Sequence, residues 1–303
     1  MATLIIHGTV PIKVPFTVKW WWDSWHESGF LDAMAKVMRS VPGVARDDVW
    51  KVNGVPVSQI DALTPHLPTP WEAAMDPNKL LELMDPRRMP DAEQYMVHKG
   101  HFMWSGSDMD SERQRAGEAL ARYLNKIHAL APREPIRIVA HSHGCNVVKV
   151  ASSSERLDPA IRIERAVFLA CPHFRLLFGR REVFPYRLDP ARFGWVLNVF
   201  SPQDSVQVDI AQGWPGPPEG AEQVLGVLHA ARSEQDPTAQ NIYRNYEVPT
   251  EDQGVRAHSA LHGWRMGALV GFWLGCEERQ FDEPYREAFA NGIFPIPAGD
   301  HGE

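Results

Sequence analysis

The 303-residue chain predicts an α/β fold: a mainly parallel sheet, helices on both of its faces, and one cap-like insertion. Three observations carry that prediction. Short β-rich runs alternate with stretches whose apolar residues recur at helical spacing. The run Ile136 to Ala140 passes through a Ser/Gly turn directly into a helix, the connection that parallel sheets use. The composition, 44% hydrophobic and 23% charged, is that of a globular chain able to bury a substantial core. The expected organisation is a single domain over residues 1–303 with an insertion over 44–97.

Leu4 to Gly8 is a short apolar run ending in glycine, so it reads as a buried strand that delivers a loop. Phe30, Leu31, Met34, Val37 and Met38 then share one helical face, stopped by Val41-Pro42-Gly43. Residues 44–97 hold many prolines, short polar breaks and scattered Trp, Leu and Met with no single period, which marks the insertion. A strand resumes at Phe102 to Gly106. Asp108 or Asp110 can cap a long helix over Ser111–Leu130, with Ala116, Ala119, Leu120, Tyr123, Leu124 and Ile127 on one face.

After the Ile136 run, a helix spans Gly144 to Ser152, and further strands are expected at Ala166–Cys171, Trp195–Phe200 and Asn241–Val248. A Gly/Pro-rich excursion fills residues 205–238, and a helix over His262–Gly275 follows the last strand.

A formal net charge of −7 and the absence of a Lys/Arg run interleaved with aromatics argue against nucleic acid as a partner. No run reaches the length of a membrane span, and Met1 to Gly8 lacks a basic, signal-like start. A cytoplasmic location is expected, with export by a signal-independent route left open. Cys145, Cys171 and Cys276 are odd in number and widely spaced, which does not suit a disulfide framework.

The chemistry centres on Ser142. A serine hydroxyl needs a base to take its proton, an acid to orient the base, and amides to hold the oxyanion. A serine exposed on a tight strand-to-helix turn needs small residues two positions before and after it. Ala140 and Gly144 satisfy that need in an A-x-S-x-G variant of the nucleophile motif. The acid is expected after a later strand and the histidine after the last one. Asp204 leads for the acid, ahead of Asp189, Asp209 and Glu247.

For the base, His258 is preferred because it comes first and is expected on the loop. His262 is expected to fall already within the following helix. The oxyanion donors are expected to be the amide of His143 and that of Thr9 or Gly8, in the His7-Gly8-Thr9 loop. No cofactor is required. His141 and His143 alone do not make a metal site, because no Cys or carboxylate stands at ligand spacing. Cys145 reads as a buried thiol. Trp20, Trp21, Trp22 and Trp25 are equally compatible with an acyl pocket, a lipid contact and cap packing.

Several segments together resemble a group of bacterial esterases and lipases of the α/β-hydrolase fold. The residues that carry the resemblance are His7-Gly8-Thr9, Trp21-Trp22 with Ser28-Gly29-Phe30, Trp104-Ser105-Gly106, Arg115 to Ala121, and Ala140 to Gly144 with Asn146. Cys145 departs from the glycine usual in that group. The resemblance implies Ser142 as nucleophile, the His7-Gly8-Thr9 loop as oxyanion donor, an acid near Asp204 and a histidine in the His258-Ser259 segment.

The expected function is therefore hydrolysis of small-molecule or lipid carboxylic esters through Ser142, His258 and Asp204. The alternatives are an interfacial phospholipase or lipase effector, and a non-catalytic binding protein that retains the fold. Acyl chain, leaving group and oligomeric state are not specified at this level.

Overall fold

The computed structural model describes residues 2–6, 8, 29–40, 51–52, 55–56, 97–98, 101–102, 104, 106, 110–172, 174–178, 181–183, 186–204, 221–223, 242–248, 250, 253 and 255–275. Its centre is a seven-stranded sheet. Five strands are parallel neighbours, in the order β12 (Tyr243–Glu247), β10 (Phe193–Phe200), β7 (Ile163–Leu169), β6 (Ile136–His141) and β1 (Ala2–Ile6). The two-residue β5 (His101–Phe102) continues parallel on β1, and β4 (Val97–His98) closes that edge antiparallel. The chain thus has an α/β architecture.

Helices cover both faces, as the alternation of periods predicts. On one face lie α2 (Asp110–Leu130) and α3 (His143–Ser153). Their apolar sides, including Leu120, Leu124, Val147 and Ala151, bury Leu4, Ile138 and Phe168 of the sheet. Gly117 lets α2 approach closely, since a Cβ there would overlap the Val150 side chain.

The other face carries α1 (Phe30–Ser40) and α5 (Trp264–Gly275), which bury Ile5, Val139, Val167 and Leu197 beneath Met34, Leu269 and Trp273. Arg165, on β7, donates to the Trp273 and Leu274 carbonyls at 2.7 and 3.3 Å, so a guanidinium satisfies the carboxyl end of α5.

Several boundaries differ from the sequence reading. Strand β5 stops at Phe102, and Trp104 lies beyond it. Asp110 does not cap α2 from outside but belongs to its first turn, where its carboxylate accepts from the Tyr186 hydroxyl. The helix expected over His262–Gly275 begins at Trp264 as α5, and a short helix not expected from the sequence, α4 (Val255–Ala260), precedes it across the turn Leu261 to Gly263.

Short antiparallel pairings that periodicity could not reveal also occur. They are β2 (Lys51–Val52) with β3 (Val55–Pro56), and β11 (Ala221–Gln223) with β8 (Phe174–Phe178) and β9 (Arg181–Val183). Apart from β2, β3 and Val97, the insertion at 44–97 lies outside the described residues, as do Asp108, Cys276 and Trp20 to Trp25.

No helix among the described residues is long and apolar enough to cross a membrane.

Candidate active site

The site is built at the carboxyl ends of the parallel strands, where side chains from successive strand ends converge. Ser142 follows the last residue of β6 and is the N-cap of α3, with φ 52° and ψ −130°. A non-glycine residue in that region carries strain of order 1–3 kcal/mol. Serine at an N-cap usually accepts from the first helical amides. The Ser142 side chain makes no such bond, so its hydroxyl is not consumed by capping.

The strained turn is held by the ladder. Ser142 N donates to Leu169 O at 2.8 Å, Ala170 N to Val199 O at 2.9 Å, and Val248 N to Phe200 O at 2.7 Å. Each bond continues parallel pairing past a strand end, which fixes the ends of β6, β7, β10 and β12 against one another. Ala170 is itself at φ 51°, a second constrained position on this edge.

Gly8, just beyond β1, lies against the turn. A Cβ added there would stand 2.6 Å from Ser142 Cβ and 3.1 Å from His141 Nδ1, so only glycine allows that approach. His7 and Thr9 lie outside the described residues.

Asp204 and His258 meet. His258 Nδ1 is 2.8 Å from Asp204 Oδ2, and the Asp204 side chain is fully buried while that of His258 is 12% exposed. The buried carboxylate accepts a hydrogen bond from Nδ1–H, which leaves Nε2 of His258 as the nitrogen with a free lone pair. The His141 ring packs on that of His258 with centroids 4.6 Å apart, and edge-on to that of His262 at 4.7 Å. Because His141 directly precedes Ser142, this contact brings the His258 ring to the Ser142 turn.

The positions of the two histidines reverse the sequence expectation. His258 sits within the short helix α4, and His262 occupies the turn after it. The helix nevertheless carries His258 to Asp204, because α4 lies between β12 and the turn and not after both histidines.

The competing acids separate clearly. Asp189 caps the 3₁₀ turn Pro190–Arg192, accepting from Ala191 N at 3.0 Å and facing Arg192 at 3.3 Å. Glu247 ends β12, and Asp209 lies outside the described residues. Cys145 is fully buried, its thiol 3.3 Å from Ala140 O. Burial, and then the neighbouring Cys171 thiol, push the Cys145 thiol well above its ordinary range, so it is held neutral.

A residue that motif reading did not single out is Gln203. Asp204 N donates to Ser201 O at 3.1 Å, closing the turn that presents the acid. Gln203 Oε1 accepts from Ser201 Oγ at 2.9 Å and from Thr250 N at 3.2 Å, so it joins the acid turn to the segment leading to His258. Its only sequence signal was adjacency to Asp204. Gln203→Leu, which removes the acceptor, is expected to lower kcat by about tenfold with little change in KM. Gln203→Glu, which keeps it, should recover most of the loss. Equal kcat in Gln203→Leu and the unmodified protein, in the ester assay proposed below, would remove this positioning role.

A polar cluster lies beside Ser142 on the α2/α3 side. Asn146 Nδ2 is 3.3 Å from His143 Nδ1 and 3.1 Å from Pro172 O, and Lys149 Nζ is 3.3 Å from Asn146 Oδ1. Arg113, fully buried on α2, donates from Nε to the Tyr186 hydroxyl at 2.6 Å, and that hydroxyl donates onward to Asp110. Burial first, then the charges of Arg113, His258 and Lys149, hold the His143 imidazole well below its ordinary range.

No group of three or more His, Cys, Asp or Glu suited to a metal ion occurs among the described residues. Compared with protein-family models, curated proteins and solved structures, the chain finds no match.

Proposed function

We propose that this protein has the α/β-hydrolase fold and is a serine hydrolase of carboxylic esters, with residues 44–97 as its cap. The observation that carries the reading is the 2.8 Å pairing of His258 Nδ1 with a buried Asp204 at the strand ends that also present Ser142 on a strained turn. An aspartate that orients imidazole, and a serine at the start of a helix, are what acyl transfer to a hydroxyl needs.

In this reading Ser142 Oγ attacks the ester carbonyl carbon while its proton passes to His258 Nε2. The oxyanion is held by the His143 amide, at the positive end of α3, and by the amide of Thr9 or Gly8 in the loop after β1. His258 returns the proton to the departing alkoxide, which leaves as the alcohol. Water, deprotonated by His258, then attacks the acyl-Ser142 carbonyl; the bond to Ser142 Oγ breaks, Oγ takes the proton back from His258, and the carboxylic acid is released. No cofactor takes part.

The test combines a short-chain 4-nitrophenyl ester assay with fluorophosphonate labelling. The expected result is hydrolysis by the purified protein and a single phosphonylated residue, Ser142, with both lost in Ser142→Ala. Hydrolysis that survives Ser142→Ala, or a probe adduct on a different residue, would overturn the assignment. A folded protein that neither hydrolyses esters nor reacts with the probe would favour a binding protein that keeps the fold.

A further inference from the structure

The His258 ring is held at two places, and the second hold comes from the strand that leads into Ser142. The Asp204 carboxylate, 2.8 Å from Nδ1, fixes one atom of the ring. The torsion that turns an imidazole about its own axis is broad, so one hydrogen bond leaves the plane of the ring loosely set. The backbone beneath adds little rigidity: α4 has six residues, and a helix that short depends on tertiary contacts for its order. The His141 side chain, in contrast, stands on β6, and His141 itself pairs with Leu169 of β7. Its buried ring is enclosed by three neighbours. His258 lies at 4.6 Å between centroids with the planes 57° apart, His262 lies edge-on at 4.7 Å, and a Cβ added to Gly8 would stand 3.1 Å from His141 Nδ1.

We propose that His141 is the positioning residue of His258: its ring, enclosed on a paired strand, is the wall that fixes the plane of the His258 imidazole relative to the Ser142 turn. The proposal rests on the ester-hydrolase reading for the role of His258 as base, but not for the contact between the rings. A side chain locked by its neighbours on a strand can hold one carried by a short helix, and not the reverse. The hold matters because a base misplaced by about 1 Å loses on the order of 10²-fold in rate. One aromatic contact shifts the population of a ring orientation by several-fold to about tenfold. The role belongs to the ring and not to its nitrogens, which separates it from a hydrogen-bonding role.

Two experiments test this. The first measures kcat and KM for a 4-nitrophenyl ester in three variants whose folding is checked by their melting midpoints. His141→Phe keeps a ring without its nitrogens, His141→Leu leaves an apolar chain, and His141→Gln leaves an amide. The expected result is a kcat within about twofold of the unmodified protein in His141→Phe, and a fall of about fivefold at unchanged KM in the other two. Since two variants lack the ring, one that fails to fold leaves the other to decide. A folded variant without the ring that keeps full kcat, or a folded His141→Phe that loses as much as they do, would overturn the proposal.

The second experiment needs no turnover. The Nδ1 proton that His258 donates to Asp204 should give a low-field proton NMR resonance, identified by its absence in His258→Gln. Its exchange with water should be unchanged in His141→Phe and about fivefold faster in His141→Leu and His141→Gln, measured well below their melting midpoints. Equal exchange in all four proteins, or no such resonance in the unmodified protein, would overturn the proposal. Absence of all ester turnover would count against the hydrolase reading, while the exchange rates still decide whether His141 holds the His258 ring.

Discussion

Ser142→Gly is expected to melt at a higher temperature than Ser142→Ala, while both lose ester hydrolysis by about 10⁵-fold or more. In the proposed mechanism the rate effect follows from loss of the nucleophile. The difference in stability comes from the backbone: φ of 52° with ψ of −130° costs an L-residue of order 1–3 kcal/mol, and glycine is released from most of that. Glycine's larger conformational entropy in the unfolded chain opposes the gain by roughly 0.5–1 kcal/mol. Alanine keeps the strain and loses only the hydroxyl, so the pair isolates the backbone term. A net gain of about 1 kcal/mol would move the midpoint by a few degrees in a chain of this size. Differential scanning calorimetry on the two variants decides it. A glycine variant less stable than the alanine one would show that the ladder bonds, and not the side chain, set the turn without strain.

The second large effect is expected from Gly267→Ala combined with Gly271→Ala. A Cβ at Gly267 would overlap the carbonyl of Phe30, and one at Gly271 that of Met34, so α5 lies backbone against backbone on α1. Alanine is the better helix former by about 1 kcal/mol per site. Overpacking costs typically 1–3 kcal/mol per site, and here the obstructing atoms are backbone, which cannot rotate away. Steric cost therefore wins. The helices must separate and loosen the layer that holds Phe30, Met34 and Trp273.

A net loss of about 2 kcal/mol, read as a midpoint lowered by roughly 3 °C, is the expected outcome for the double variant. Activity should fall with it, since α5 begins directly after the turn that follows His258 and α4. A double variant as stable as the unmodified protein would mean that the two helices do not pack as closely as these overlaps require.

Some parts of this site are legible in local sequence, and others are not. Ala140, Ser142 and Gly144 carry the elbow because the turn's steric demand falls on residues two apart, and the flanking strand and helix declare themselves by period. The two-residue β4 and β5 and the small antiparallel pairs are too short for any period to register. His258 is the residue that meets Asp204, yet it lies in a helix and His262 in the turn, the reverse of what their local sequence suggests. Gln203 and the Asn146–His143 pair show no pattern at all, because a hydrogen bond's partner is defined only once the backbone has folded.

The sequence by itself determined the α/β class, the order of the central strands and helices along the chain, and the serine turn. Each of these depends on neighbours within a few residues. The tertiary structure decided the strand order, the fit of Gly8 against Ser142, the close approach of Gly267 and Gly271 to α1, and the pairing of His258 with an aspartate 54 positions away. Those facts depend on crossovers between elements, and periodicity of 2 or 3.6 residues does not encode which strand ends will share an edge.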